Sequence, residues 1–332
     1  MADNSSTSNS SVKRFALRAL LAVLLVALID QGLGLVLGTL YDRTREGDFG
    51  GCINLTLEQR NDVVVFGSSR AKHHYIPDVL EKSTGRSFFN AGIDAQNLLC
   101  HYGIAQLVLS EYTPKAFILD LNPEDLREAG GTASLDKLSV LLPYYKRGNP
   151  ALNALLLERS KFERVRLLSA AYPYNSMLMP LLKYTLKPDS AGTIKSRGFL
   201  PYFGSDVLEI VRIEEENAPA AAATTAPAID PFQVQTLRKF AESAREKGVK
   251  FIVCLGPLWE KKGQDLADHT ALLEAYLALL EELEVPVVRV DSGTNDIFLK
   301  PELYKDRIHI NKEGASAFSE ILGEQLRPHL AD

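Results

Sequence analysis

Cysteine, methionine and tryptophan are all scarce in this chain: three, three and one in 332 residues. The cysteines Cys52, Cys100 and Cys254 fit no zinc spacing and no CxxC redox motif. Two readings of them stay open: a Cys52–Cys100 disulfide if the domain lies outside the cytoplasm, or free buried thiols. Basic clusters are missing too. With 37 Lys and Arg against 42 Asp and Glu, the net charge is −5. A phosphate backbone needs concentrated positive charge, so nucleic acid is not expected as a partner. Histidines at ligand spacing are also lacking. His73 and His74 are adjacent and cannot face one metal from a regular helix, and His101, His269 and His329 stand apart. These five are expected to be solvated or core residues, and no metal or cofactor is expected. There is no internal repeat.

What the sequence does contain begins with a long apolar run. Residues 1–12 are rich in Ser and Asn and should be disordered. Lys13, Arg14 and Arg18 then precede the stretch 19–41, whose only charge is Asp30. A helix needs about 20 such residues to cross the hydrocarbon core. Asp30 costs ~3 kcal/mol on an insertion scale, while the Leu, Ile and Val side chains return ~4–8 kcal/mol. Residues 13–41 are therefore expected to be a single-pass transmembrane anchor in the cell membrane. The positive flank keeps the N-terminus cytoplasmic and places the remainder outside. A cleaved signal peptide is the competing reading, but no A-x-A pattern follows Ile29 and apolarity resumes. A buried soluble helix is the third. Asp30 is either tolerated or faces a polar group on a partner helix.

After a polar stalk at 42–60, short apolar runs alternate with helical periods. Strands are expected at 62–66 (DVVVF), 87–90, 116–121 (AFILDL), 250–255 (KFIVCL) and 287–291. Helices are expected near 77–82, 95–110, 232–247, 271–283 and 312–326. This alternation implies right-handed crossovers and a doubly wound, flavodoxin-like α/β domain over 61–332. Its mostly parallel five-stranded sheet would be sandwiched between helical layers. An insertion at about 130–230 interrupts it. Helical segments at 135–142, 152–157, 165–171 and 177–186 lead to a Gly/aromatic loop at 198–204 and a low-complexity linker at 218–228. A lid over the site, packing filler and a partner surface are equal expectations for it.

In such sheets the ligand sits beyond the carboxyl ends of the strands. Three motifs fall there. Gly67-Ser68-Ser69-Arg70 follows the first strand, where a tight turn would expose a hydroxyl and the next helix start would offer amides to an oxyanion. A plain helix cap is the alternative. Asn90-Ala91-Gly92 follows the second strand. Asp306-Arg307-Ile308-His309 follows the last, with an acid one turn before a histidine it could orient. Arg70 is expected to pair with a neighbouring carboxylate.

Together, GSSR, NAG and DRIH, the last followed by Asn-Lys-Glu-Gly, resemble the blocks of the SGNH/GDSL hydrolase superfamily over about residues 60–330. The resemblance implies Ser69 as nucleophile, with Ser68 in place of the usual Asp, and Asp306 and His309 as acid and base. It implies oxyanion donors at Ser69 and Gly92. The third block departs: the strand ends Asp120-Leu121-Asn122-Pro123, so Asn122 either serves as the third donor or begins a turn before Pro123. With the anchor, the chain is similar to extracytoplasmic proteins that work beside membrane-bound O-acyltransferases. The expected activity is a serine esterase or O-acyltransferase acting on acyl (acetyl) esters of a cell-surface glycan, with such an acyltransferase as partner. A catalytically inactive carbohydrate-binding or assembly protein and a general lipid or small-ester hydrolase are the alternatives.

Overall fold

The computed structural model describes residues 5–126, 133–147, 150–187, 192–216, 229–259 and 266–331. The linker expected at 218–228 lies outside them. Five strands form one parallel sheet: β1 (Val63–Phe66), β2 (Phe88–Asn90), β3 (Ala116–Asp120), β4 (Lys250–Leu255) and β5 (Val287–Arg289), in the order β2-β1-β3-β4-β5. A long N-terminal helix, α1 (Ser5–Arg43), precedes the sheet, and the helices around it among the described residues include α2 (Cys52–Gln59), α3 (Ser69–His74), α4 (Pro77–Thr84), α5 (Leu98–Glu111), α6 (Pro231–Glu246), α7 (Leu266–Glu282) and α8 (Lys312–Leu330).

The central strands read as unbroken apolar runs because both of their faces are buried. Val63 and Val65 pack into one layer with Leu80 of α4 and Phe318 and Leu322 of α8. Val64 and Phe66 pack into the other with Ile104 of α5 and Leu237 and Phe240 of α6. The strand order reverses between β1 and β3, so the crevice of the doubly wound sheet opens at their carboxyl ends.

Boundaries differ from the sequence reading where a side chain caps the backbone. The helix expected from 95 starts at Leu98, because Asn97 accepts the Cys100 amide at 3.0 Å. The last strand stops at Arg289, since Asp291 turns inward to take the Gly293 and Thr294 amides. In the insertion, 165–171 is not a helix. Helical structure there is confined to Glu163–Arg166, followed by turns and a 3-10 turn at Tyr172–Tyr174. Asp30 draws off the Ala170 amide at 2.7 Å, which a continued helix would have paired with its own carbonyl.

Two expectations at the N-terminal end are corrected. The tail expected to be disordered is helical from Ser5, because extending an established helix costs far less than starting one. The stalk at 42–60 is folded into the domain. Its polar start hides Ile53, Leu55 and Leu57, which α2 buries in the core. Asn54 ties α2 to the end of α1: its Nδ2 donates to the Tyr41 carbonyl at 2.8 Å and the Thr44 carbonyl at 3.1 Å. Its Oδ1 accepts from the Tyr144 hydroxyl at 2.8 Å. Cys52, Cys100 and Cys254 are free thiols, all buried. The apolar part of α1, Ser11–Arg43, is long and apolar enough to cross a membrane.

Asn54→Ala leaves these buried groups short of partners, and we expect a loss of about 1–3 kcal/mol. Thermal unfolding of the full chain in detergent checks this; an unchanged melting temperature contradicts the clamp.

Candidate active site

Gly67 closes β1 with φ +149°, and a Cβ there would sit 2.7 Å from the Ala71 Cβ and 2.9 Å from the Asp120 Cβ. Only glycine fits this close approach. The chain then turns straight into α3. Ser68 stands at the cap position but makes no capping hydrogen bond. The Ser69 hydroxyl, the first side chain of α3, lies 2.7 Å from His309 Nε2. The other ring nitrogen, Nδ1, is 2.9 and 3.0 Å from the two carboxylate oxygens of Asp306. A carboxylate can only accept, so Nδ1 carries the proton and Nε2 is free to accept from Ser69.

The spacing DRIH produces this geometry locally. Asp306 Oδ1 also accepts the amides of Ile308 and His309, each at 2.9 Å, which winds the segment into a turn and aims the ring back. Partial burial raises the Asp306 pKa, but the hydrogen bonds from the His309 ring and the two amides outweigh it, so the carboxyl titrates below its ordinary value.

A buried polar network fixes α3 against β3. Arg70 Nε is 3.0 Å from Asp120 Oδ1, and its Nη2 reaches Asp125 Oδ2 at 2.5 Å. The Tyr75 hydroxyl donates to Asp120 Oδ2 at 2.8 Å. Burial pushes the Asp120 pKa up, and Arg70 and Tyr75 pull against it without cancelling the rise. The pairing expected of Arg70 is thus made twice. Asp125 also accepts the Asn122 amide at 2.8 Å, so the turn after β3 hangs from the same guanidinium. Asn122 is buried and its Nδ2 has no hydrogen-bond partner among the described residues.

Gly92 departs from expectation as an oxyanion donor. Its amide donates to Asn90 Oδ1 at 3.0 Å, and it is pressed so near the Lys72 backbone that a Cβ would fall 2.4 Å from the Lys72 nitrogen. Asn90 is a clip: its Nδ2 donates to the carbonyls of Ala71 at 2.7 Å and Tyr75 at 2.9 Å. NAG therefore braces α3 rather than presenting a free amide.

Two histidines set aside as solvated or core residues support the ring of His309. His74 Nε2 accepts the Ile310 amide at 3.1 Å, which requires a neutral ring protonated at Nδ1. Burial, then His309 and Arg70, drive its pKa well below the ordinary value. His73 stacks on Tyr202 at 3.8 Å between centroids and meets His309 edge-on at 5.9 Å. Its Nδ1 donates to the Leu200 carbonyl, and its Nε2 lies 3.2 Å from Asp94 Oδ1. These contacts depend on tertiary packing, so only the adjacency of the two histidines to GSSR could have signalled them.

Tyr202 brings the insertion into the site. The loop 198–204 is tied down where the Leu200 amide meets the Lys72 carbonyl at 3.1 Å and the Lys312 amide meets the Tyr202 carbonyl at 2.8 Å. Gly198, at φ +91°, leaves no room for a Cβ, which would lie 1.8 Å from the Asn90 carbonyl oxygen. Beside it, Lys72 is held by Asp48 at 2.7 Å and Asp94 at 2.8 Å. Burial works against the Asp94 carboxylate, but hydrogen bonds from His73 and Lys72 prevail and lower its pKa to about 2. A cavity of about 170 Å³ opens next to this group, lined by Asp48, Lys72, Gly92, Tyr184, Thr193 and Leu200.

No protein-family model and no curated protein matches the chain. Among solved structures it is similar to a candidate lipolytic protein of the G-D-S-L family from Desulfitobacterium hafniense DCB-2, at 15% identity and TM-score 0.37, over 79% of this chain and 97% of that one. It is also similar to a protein described as a platelet activating factor from Streptococcus pneumonia, at 11% identity and TM-score 0.33, over 95% of this chain and 99% of that one.

Arg70→Ala strands Asp120 as an uncompensated buried carboxylate, and a cost of about 3–5 kcal/mol is expected. Denaturant unfolding measures it; a loss under about 1 kcal/mol, the range of exposed ion pairs, contradicts the network. His74→Phe keeps an aromatic ring at the position but abandons the Ile310 amide. It should lower the thermal unfolding midpoint with the Arg70 network intact; an unchanged midpoint would show that the Ile310 segment does not depend on this bond.

Proposed function

We propose that the chain is a membrane-anchored SGNH/GDSL-type serine esterase or O-acyltransferase that uses Ser69, His309 and Asp306 on acyl esters of a cell-surface glycan. The observation that carries this reading is the continuous hydrogen-bonded chain from Asp306 through His309 to the Ser69 hydroxyl. A neutral imidazole whose free nitrogen already accepts from a serine is the arrangement nucleophilic acyl transfer needs.

The steps follow from the protonation states. Ser69 Oγ attacks the ester carbonyl while His309 Nε2 takes its proton, and Asp306 stabilises the imidazolium. The oxyanion forms against the Ser69 amide, a first-turn N–H with no acceptor within α3, and against Asn122 Nδ2, which has no partner among the described residues. Each donor contributes about 3 kcal/mol of barrier lowering. His309 passes the proton to the departing alkoxide, leaving an acyl group on Ser69. Water or a sugar hydroxyl, deprotonated by His309, then takes that group and restores the serine.

The membrane placement is supported by how α1 joins the domain. Asn54 holds the end of α1, and Asp48, soon after it, grips Lys72 on the nucleophile's helix. A helix so integrated with the fold reads as a retained anchor rather than a removed signal, with the active edge near the membrane surface. A glycan acceptor and a membrane-bound O-acyltransferase partner suit that location.

The test is labelling of the full chain with a fluorophosphonate. Wild type should label; Ser69→Ala should not, and His309→Ala should label at least a hundredfold more slowly. Persistent labelling of Ser69→Ala refutes the assignment of the nucleophile. Absence of labelling in wild type favours a binding or assembly protein on the same fold.

A further inference from the structure

We infer that the insertion segment 160–187 is a second membrane-embedded element, sunk into the leaflet on the domain's side and held against α1 at Asp30. The inference rests on the anchor reading of α1. Three observations on that helix lead to it.

First, Asp30 is occupied from within the chain. Its carboxylate accepts the Ser169 hydroxyl at 2.6 Å and the Ala170 amide at 2.7 Å. Second, the two surfaces meet at small residues. A Cβ on Gly34 would lie 2.4 Å from the Ala170 Cβ, and one on Gly38 would lie 2.9 Å from the Tyr174 hydroxyl. Glycines four apart let another chain segment approach a membrane helix closely. Third, the helix Leu178–Leu186 also packs on α1 and still turns Met179, Leu182 and Leu186 outward, 75%, 54% and 72% exposed. Leu35 on α1 is exposed to the same degree, at 73%. The apolar surface of the anchor thus continues onto the insertion.

Depth follows from helix geometry. A span that starts after Arg18 and runs about 20 residues ends near Gly38. Asp30 then lies roughly 12 Å inside that end. Non-helical backbone at such depth needs acceptors from the protein, and Asp30 supplies one to the Ala170 amide. The same bonds account for a carboxylate in an anchor helix. Lys161, Arg164 and Lys183, interspersed among the exposed apolar residues, provide the basic fringe of an interfacial element facing anionic headgroups. The occupant of this face is lipid.

The experiment reconstitutes the full chain in phosphatidylethanolamine–phosphatidylglycerol vesicles with nitroxide labels on single added cysteines. Met179→Cys and Leu182→Cys are the test positions, Leu25→Cys marks α1, and Leu299→Cys marks the domain surface; the native cysteines are buried. Spin relaxation by oxygen is compared with relaxation by a water-soluble nickel chelate. Positions 179 and 182 should match position 25, with an oxygen-to-nickel ratio several-fold above that at 299. Ratios equal to that at 299 place the face in water and overturn the inference. Protection from both reagents identifies a protein partner and overturns it equally. If position 25 itself behaves like 299, the anchor reading fails, and the inference with it.

Discussion

Arg70 sits buried between Asp120 and Asp125, and the carboxyl edge of the sheet is organised around that charge. It extends from the residue after Ser69 to the end of β3, crossing the switch point of the doubly wound sheet. Removing the guanidinium and the Asp120 carboxylate from water is expensive, and the Tyr75 hydroxyl and the partly solvated Asp125 help to offset it. Little freedom is left in the result. Once Arg70 is paired, the start of α3 and the turn after β3 are held to one another.

The opposite wall is fixed by hydrogen bonds to backbone groups rather than by a buried ion pair. Asp306 winds its own turn, His74 receives the Ile310 amide, and Asn311 ties the start of α8 to the Gly204 and Glu302 carbonyls. His309 therefore reaches Ser69 from a support as rigid as the one beneath the serine. Preorganisation of this kind is what acyl transfer demands, because the dipoles that stabilise the transition state need not reorient. The insertion adds Tyr202 against His309 and His73, and the segment before α2 adds Asp48 against Lys72. Both additions belong to parts that also contact α1.

Elements set by local pattern were legible in the sequence. The apolar runs at 63–66 and 116–120 announce buried strands, and DRIH encodes its own turn because acid and base lie one turn apart. The fold class followed from alternation alone. Features that depend on distant partners were hidden. Nothing near Gly92 says that Asn90 will take its amide, and His74 looks like any core histidine until Ile310 arrives from the far end of the chain. The segment 42–60 misled for another reason: a polar start masked Ile53, Leu55 and Leu57, and composition averaged over the segment lost them. Asp30 was visible as an anomaly, but its partners lay in an insertion whose turns no periodicity reveals.

The account stands on Ser69 acting as a nucleophile rather than as a well-placed hydroxyl. Incubation of the full chain with 4-nitrophenyl acetate, acid quenching and mass analysis of the proteolytic fragment tests this most directly. One acetyl group should be found on the peptide bearing Ser69, accumulating in a burst and disappearing as the serine turns over. Acetylation confined to lysines, or none on that peptide while ester is still hydrolysed, would contradict it.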